Sequence, residues 1–458
     1  MQQTRLAAQL PVRLQLNQEF HGWIALIVPL HEIRIGFYQT TNLCQIAGIG
    51  GRALRFLGIT RTAFATQQAA HILLAALAGA AAGAGLVTQG QQAQAQHVHG
   101  EPLVRGARYT IDHMTHYTPF QDYAGIITPG HLHFMQQHTS ELPEIDPAEH
   151  RLTIHGFVDK PISFSMDDLK QLPSVSRVHF VECHANSSPG IHSADDPNMG
   201  MPVQFIHGMA SCSEWSGVPL SVLLNIAGVQ KKGTWLISEG GDHCKFSHTL
   251  PMGKAMDDVF VAYGQNGDPL RREQGYPIRL LVPGWEGPFN VKFLKHIKVV
   301  DQPYMAWNES MNHSVPRPDL GGKSRWYHYQ WAVKSVITRP SAGMEMRKGY
   351  TQITGLAWSG GGRITRVEIS TNGGKTWSDA KIQGPVHSKA HTRFTYDWAW
   401  NGDEAMLLSR ATDETGDVQP SLAELSKHWG FPMDAWRKAE KPRAIHFTAI
   451  QPWRVARD

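Results

Sequence analysis

Cysteine is scarce, with 4 in 458 residues, at Cys44, Cys183, Cys212 and Cys244. No two stand close enough for a zinc knuckle, a redox dithiol or a haem-attachment motif, so any haem belongs to a partner. A Cys212–Cys244 disulfide is conceivable in an oxidising compartment. Charge of one sign is lacking too. The 43 Lys and Arg against 39 Asp and Glu leave a formal charge of +4. They form no sustained basic run, which argues against nucleic acid as a partner. Long apolar runs are also missing. The stretch 23–30 is too short to span a bilayer and the Ala-rich stretch 63–87 is interrupted by polar residues, so no stable membrane insertion is expected.

What is present has a globular balance, 41% hydrophobic and 18% charged, over a length that favours two or more domains. The 25 His and 14 Trp are a high load, but no His-Glu zinc spacing occurs, so most are expected to be packing or surface residues. The Ala-rich stretch follows Arg61 and leads to Ala93-Gln-Ala95, a small-x-small cleavage pattern. That layout predicts a signal peptide over 61–95 and a periplasmic location. Upstream, Arg52-Ala-Leu-Arg55-Phe-Leu57 resembles a degraded twin-arginine signal, the export route of prefolded cofactor proteins. Residues 1–60 are then an extension from a mis-set start.

The span 96–334 mixes short β-rich runs, such as Arg279–Val282, with helix-like pieces such as Pro219–Ile226, an α+β pattern. Across 335–458 the runs Thr351–Trp358, Arg363–Ser370 and Thr392–Trp398 alternate and are parted by Gly-rich turns, as in an immunoglobulin-like β-sandwich. Ser359-Gly-Gly-Gly-Arg363 and Asn372-Gly-Gly-Lys-Thr376 lack the strand-to-helix context of a phosphate loop. Hairpin turns are the expectation for both.

The run Val178-His-Phe-Val-Glu-Cys183-His-Ala-Asn186 delivers a single cysteine from a β-like segment into a polar loop. By itself this fits a buried, inert thiol as well as a metal ligand. A Cys183–His184 nucleophile pair is disfavoured, because neighbours on a strand point to opposite faces. The segments downstream narrow the choice. Glu214-Trp-Ser-Gly-Val-Pro-Leu220, Gly240-Gly-Asp242, Ala262-Tyr-Gly-Gln-Asn-Gly267, Gly275-Tyr-Pro-Ile-Arg279, Val282-Pro-Gly-Trp285, Asn290-Val-Lys-Phe-Leu294 and Ser335-Val-Ile-Thr-Arg-Pro340 come in an ordered series. That series resembles the molybdenum-binding and dimerisation domains of the sulfite oxidase family. Gln274-Gly-Tyr-Pro277, Pro283-Gly-Trp-Glu-Gly287 and Gln302-Pro-Tyr-Met305 point to its sulfane dehydrogenase branch.

The resemblance implies a molybdenum cofactor, Mo-molybdopterin, with Cys183 as the thiolate ligand of the metal; soft sulfur suits a redox metal. It implies cofactor binding by His138, Asn186, Asp242, Arg279 and Lys292, with the two cations on the pterin phosphate. It further implies oxygen-atom transfer to an inorganic or protein-bound sulfur, electrons leaving singly to a c-type cytochrome subunit, and a homodimer or heterotetramer. Three positions depart from the family pattern. Gln136 stands where an arginine is expected near the reacting centre, Ser187-Ser188 where a substrate arginine follows the cysteine loop, and His313 falls in the region of the active-site tyrosine. A dianion would miss those guanidinium groups, so a sulfur-carrier protein with a less charged sulfur is the expected substrate, unless Arg271, Arg272 or Arg325 fills the role. The rivals are a periplasmic molybdenum sulfoxide reductase, which would lack the sandwich, and a catalytically inactive dimeric scaffold.

Overall fold

The computed structural model describes residues 109–112, 114–187, 201–317, 320–342, 344–430 and 446–455. The expected signal peptide, the extension before it, Cys44 and Ser188 lie outside them.

Two five-stranded sheets build most of the first half, beside a small sheet of Tyr109–Asp112, Thr115–Tyr117 and Met135–Gln136 and a two-stranded one of Ser314–Pro316 and Arg325–Tyr327. One of the five-stranded sheets runs in the order Asp268–Pro269, Phe260–Gln265, Ala210–Pro219, Val175–Glu182, with Arg279–Leu281 also paired to Phe260–Gln265. The other orders Ile162–Phe164, Leu152–Gly156, Leu294–Val300, Trp235–Gly240 and Ser247–Pro251. Its Leu294–Val300 strand pairs in parallel with Leu152–Gly156. Between the sheets packs an apolar core that includes Leu152, Ile154, Val261, Leu280, Leu294 and Ile297, all fully buried. The predicted helix forms over Leu220–Ala227 and turns Leu220, Leu223, Leu224 and Ala227 into this core. It stops at Gly228, whose left-handed conformation (φ 70°) lets its N–H reach back to the carbonyls of Leu224 and Asn225.

The second half is a sandwich of two four-stranded antiparallel sheets. One orders Lys334–Arg339, Gly349–Trp358, Thr392–Trp400 and Lys381–Gln383; the other Ser378–Asp379, Ile364–Ser370, Ala405–Asp413 and Trp453–Val455. The three predicted strands are all there. Of the two Gly-rich turns, Asn372–Thr376 closes a hairpin, as expected. The other does not. Residues 359–363 carry the chain from one sheet to the opposite one, and Gly360 lies so close to Gly284 that a Cβ on Gly284 would come within 2.7 Å of its carbonyl oxygen. A crossing between layers needs bare backbone there, a demand that a local turn pattern does not reveal.

The halves share a hydrophobic core. Phe120, Phe180, Val203 and Ile206 from the first pack in one cluster with Trp331, Val336, Trp358 and Phe394. The conceivable disulfide is absent: Cys212 is a free thiol buried in this shared core, and Cys244 is free and exposed. Among the described residues no helix is long and apolar enough to cross a membrane. Because the core straddles the junction, a fragment ending at Lys334 should aggregate or stay expanded rather than fold alone. Soluble yield and the cooperativity of thermal unfolding of that fragment test this, and a soluble fragment with a sharp transition would contradict it.

Candidate cofactor site

Strand geometry sets up the site. Phe180, Val181 and Glu182 end the Val175–Glu182 strand, all buried, and successive side chains face opposite sides. Phe180 joins the core shared with the sandwich, whereas Val181 and Cys183 line a cavity that opens to solvent. Glu182 turns the other way, toward the sandwich. After Glu182 the chain bends: the Asn186 N–H donates to the Cys183 carbonyl (2.9 Å), and the Cys183 N–H donates to the carbonyl of Met209 (2.9 Å). Gly287, which also lines the cavity, packs against the bend, since a Cβ there would sit 2.7 Å from the Glu182 carbonyl oxygen. Burial pushes the Cys183 thiol up to about 11, so without a bound cation it stays protonated and unreactive at neutral pH.

Of the residues expected at the site, Cys183, Gln136, His138, Asp242, Arg279 and Lys292 line this one cavity. Arg279, inside a strand as expected, donates to the carbonyls of Gln274 and Asn290, while its Nε is buried without a partner. Lys292 lies in the segment before the Leu294–Val300 strand and donates to the carbonyls of Gln136 (2.9 Å) and Glu273 (3.3 Å). Neither cation has a carboxylate within ion-pair distance among the described residues. Burial lowers the Arg279 guanidinium to about 9; burial and then the nearby Arg279 charge lower the Lys292 ammonium to about 7. Asp242 accepts from the Phe246 N–H (2.9 Å) and the Cys244 thiol (3.2 Å). His138 stacks on Phe246 at 4.7 Å and is pushed down to about 4 by burial and then Lys292, hence neutral.

Asn186 and His313 stand elsewhere. The Asn186 amide is spent on its own loop, donating to Glu182 Oε1 and accepting from the Met209 N–H, and it is not part of the cavity lining. His313 lies behind the lining, its ring 5.7 Å from that of His138 and 5.6 Å from those of His184 and His248. Burial and then the neighbouring imidazoles push it well below the usual histidine range. Sequence spacing gives no sign of this cluster, because its members come from four separate segments. Nor does it show Glu286, fully buried and bridged by His184 (2.6 Å) and His446 (2.7 Å). Arg271, Arg272 and Arg325 line no part of the cavity: they are tied to Glu273, to the carbonyls of Leu142 and Pro143, and to Ser314. The Ser187 hydroxyl points inward to His207 and Lys334.

A cavity lined by one thiol and two uncompensated cations, walled by a two-sheet domain on a β-sandwich, defines a site for an anionic, metal-bearing organic cofactor. Residues 139–308 match the oxidoreductase molybdopterin binding domain and residues 325–439 the Mo-co oxidoreductase dimerisation domain. The crystal structure of the sulfane dehydrogenase SoxCD from Paracoccus pantotrophus superposes with a TM-score of 0.70 at 38% identity, covering 79% of this chain and 91% of that one. Among curated proteins, nitrate reductase [NADH] of Ulva prolifera is 30% identical over 65% of this chain, and the mitochondrial sulfite oxidase of Rattus norvegicus 28% over 68%. The chain spans only 38% and 61% of their lengths. It belongs to the sulfite oxidase family of molybdopterin oxidoreductases, whose cofactor is molybdenum bound to molybdopterin. The residues fit that group, because the orphaned Arg279 Nε and the unpaired Lys292 lack the anion that its phosphate would supply.

Those unpaired cations make the empty protein sensitive to pH. The Lys292 pKa in the fold, about 7, lies below the ordinary lysine value of 10.5. The unfolded chain therefore binds more protons between the two, and stability rises with pH across that window. The contribution is present in full above about 10.5 and is lost as pH falls toward about 7. In cofactor-free protein, unfolding free energy should climb by up to roughly 1 kcal/mol per pH unit from pH 7.5 to 9 more steeply than in Lys292→Met. Thermal or urea unfolding of both proteins across that range reads the difference, and equal slopes would refute it.

Proposed function

We propose that this protein is a molybdenum-cofactor oxidoreductase that oxidises a reduced sulfur of low charge, carried on a partner protein, in preference to free sulfite. The observation that carries the reading is the allocation of cations. Arg279 and Lys292 are the guanidinium and ammonium groups lining the cavity among the described residues, and both suit the pterin phosphate. Gln136 offers a neutral amide to the same space, so a dianion would be desolvated there without a charged partner of its own. The relatives named for sulfite oxidation and sulfane dehydrogenation support sulfur as the donor.

The protein's share of the chemistry is to bind, orient and exclude water. When bound, the cofactor supplies a redox metal able to exchange an oxygen atom and two electrons with a sulfur. Cys183 gives the soft sulfur ligand; its thiol, protonated in the free protein, is deprotonated on coordination. Arg279 and Lys292 hold the phosphate, and Asp242 and neutral His138 offer hydrogen-bonding groups to the pterin edge. Net oxidation adds a water oxygen to sulfur and releases two protons and two electrons, so a one-electron acceptor is required twice. A c-type cytochrome subunit fills that role, and the sandwich makes the assembly a homodimer or a heterotetramer in the periplasm.

The test is kcat/KM for free sulfite and for a protein-bound persulfide, with cytochrome c as acceptor. The persulfide should be the better substrate, and Cys183→Ser should abolish turnover of both. Gln136→Arg should lower KM for sulfite about 10-fold, as a charge-assisted hydrogen bond worth roughly 1.5–3 kcal/mol, less its desolvation cost, allows. If the parent already turns over sulfite faster than the persulfide, the charge argument fails.

A further inference from the structure

The least expected feature of the molecule is what holds the residue before the thiolate. Glu182 is fully buried, and its carboxylate accepts three hydrogen bonds: from Lys334 Nζ (2.8 Å) and Asn186 Nδ2 (2.8 Å) on Oε1, and from Trp358 Nε1 (2.6 Å) on Oε2. Its main-chain carbonyl accepts a fourth, from Trp331 Nε1 (3.2 Å). Lys334 and Trp358 belong to strands of the sandwich, and Trp331 packs in the apolar cluster that also holds Trp358. Lys334 also donates to Ser187 Oγ (2.7 Å), so one ammonium ties both ends of the 182–187 loop.

We propose that Glu182 is a positioning residue through which the C-terminal sandwich sets the orientation of the Cys183 sulfur toward the metal. Strand alternation makes this possible: Cys183 enters the cavity because Glu182 is turned away from it and anchored on the opposite side. A buried ion pair is a costly fastener compared with an apolar contact of the same size, so its value lies in specifying one arrangement. Lys334 balances the carboxylate charge, the Trp358 indole holds its other oxygen, the Trp331 indole holds the main-chain carbonyl, and the Cys183 backbone follows one peptide away. Groups that orient a metal ligand tune the metal. The sandwich would then be part of the active site as well as an assembly module.

The inference rests on Cys183 being the metal ligand, and the experiment separates the two. Trp358→Phe removes one donor to Glu182 along with part of a fully buried ring, a packing loss that the double variant below does not share. Metal and pterin per chain should match the parent, kcat should fall about 10-fold with KM within about 2-fold, and the electron paramagnetic resonance signal of the one-electron-reduced metal should shift. A fastener without influence on the sulfur would lower thermal stability and leave that signal unchanged, which would overturn the proposal. Glu182→Gln with Lys334→Met in one chain keeps the buried region neutral. It should fold better than either single variant yet still show the shifted signal, and a parental signal and rate in the double variant would refute the positioning role. Cys183→Ser serves as the control: if it keeps the parental signal, the ligand reading itself is wrong, whatever Trp358→Phe does.

Discussion

Burial of both faces of the Val175–Glu182 strand at its C-terminal end is the constraint on which the other features depend. A strand with one wet face could shift by a residue at modest cost, whereas this one cannot, because a slip would drive Glu182 into the cavity and Cys183 into an apolar core. Phe180 is locked among Trp358 and His391 on one side, and Val181 packs with Trp215, Phe260 and Leu281 on the other. The two-sheet domain and the sandwich thus agree on a single register, and the thiol is delivered to the cavity by that agreement. The shared core follows from it, since this end of the strand has no free side left for solvent.

Inside the cavity the electrostatics are asymmetric. The positive groups that line it have no ion-pair partner, while two carboxyl groups nearby are already satisfied: Glu182 by Lys334, and Glu286 by His184 and His446, whose pull outweighs the effect of burial and holds it well below the usual carboxylate range. The imidazoles of His138 and His313 stay neutral. With Asp242 the one carboxylate among the described lining residues and beyond ion-pair distance of both cations, the site favours an anion that can reach both, and a desolvated Lys–Arg pair is expensive until that anion arrives. Stability and cofactor retention are therefore coupled in this fold, as they are wherever a binding energy offsets a cost built into the empty site.

Much of this was legible in the sequence, and the limits are physical. Alternation marked the strands of the sandwich and the apolar run into Cys183, because period-two patterning is a local property. Arg279 and Lys292 were reached through the family resemblance, since each sits in one of the ordered segments that carry it. Asn186 was expected at the cofactor, yet its amide closes its own loop, a choice that depends on where Met209 comes to lie. The histidine cluster was hidden because His138, His184, His248 and His313 meet only when the Ser247–Pro251 strand and the loop after Met311 close on the cavity. The anchoring of Glu182 was hidden for the same reason: its donors Lys334 and Trp358 lie 152 and 176 positions away.

The position of the sandwich also bears on why the two halves occur in one chain. If its role were only to join two copies, its contacts with the first half could be apolar and interchangeable, as most cores are. Amid those apolar contacts stands a fully buried one that is polar and directional, a carboxylate with each oxygen given a named donor, placed one residue from the thiol. Directional groups constrain angles where apolar packing constrains mainly volume. A metal ligand needs its angle fixed more than its volume filled. On the proposed reading of Cys183 as the metal ligand, that requirement accounts for a buried Lys–Glu pair where leucines would have been the more stabilising choice.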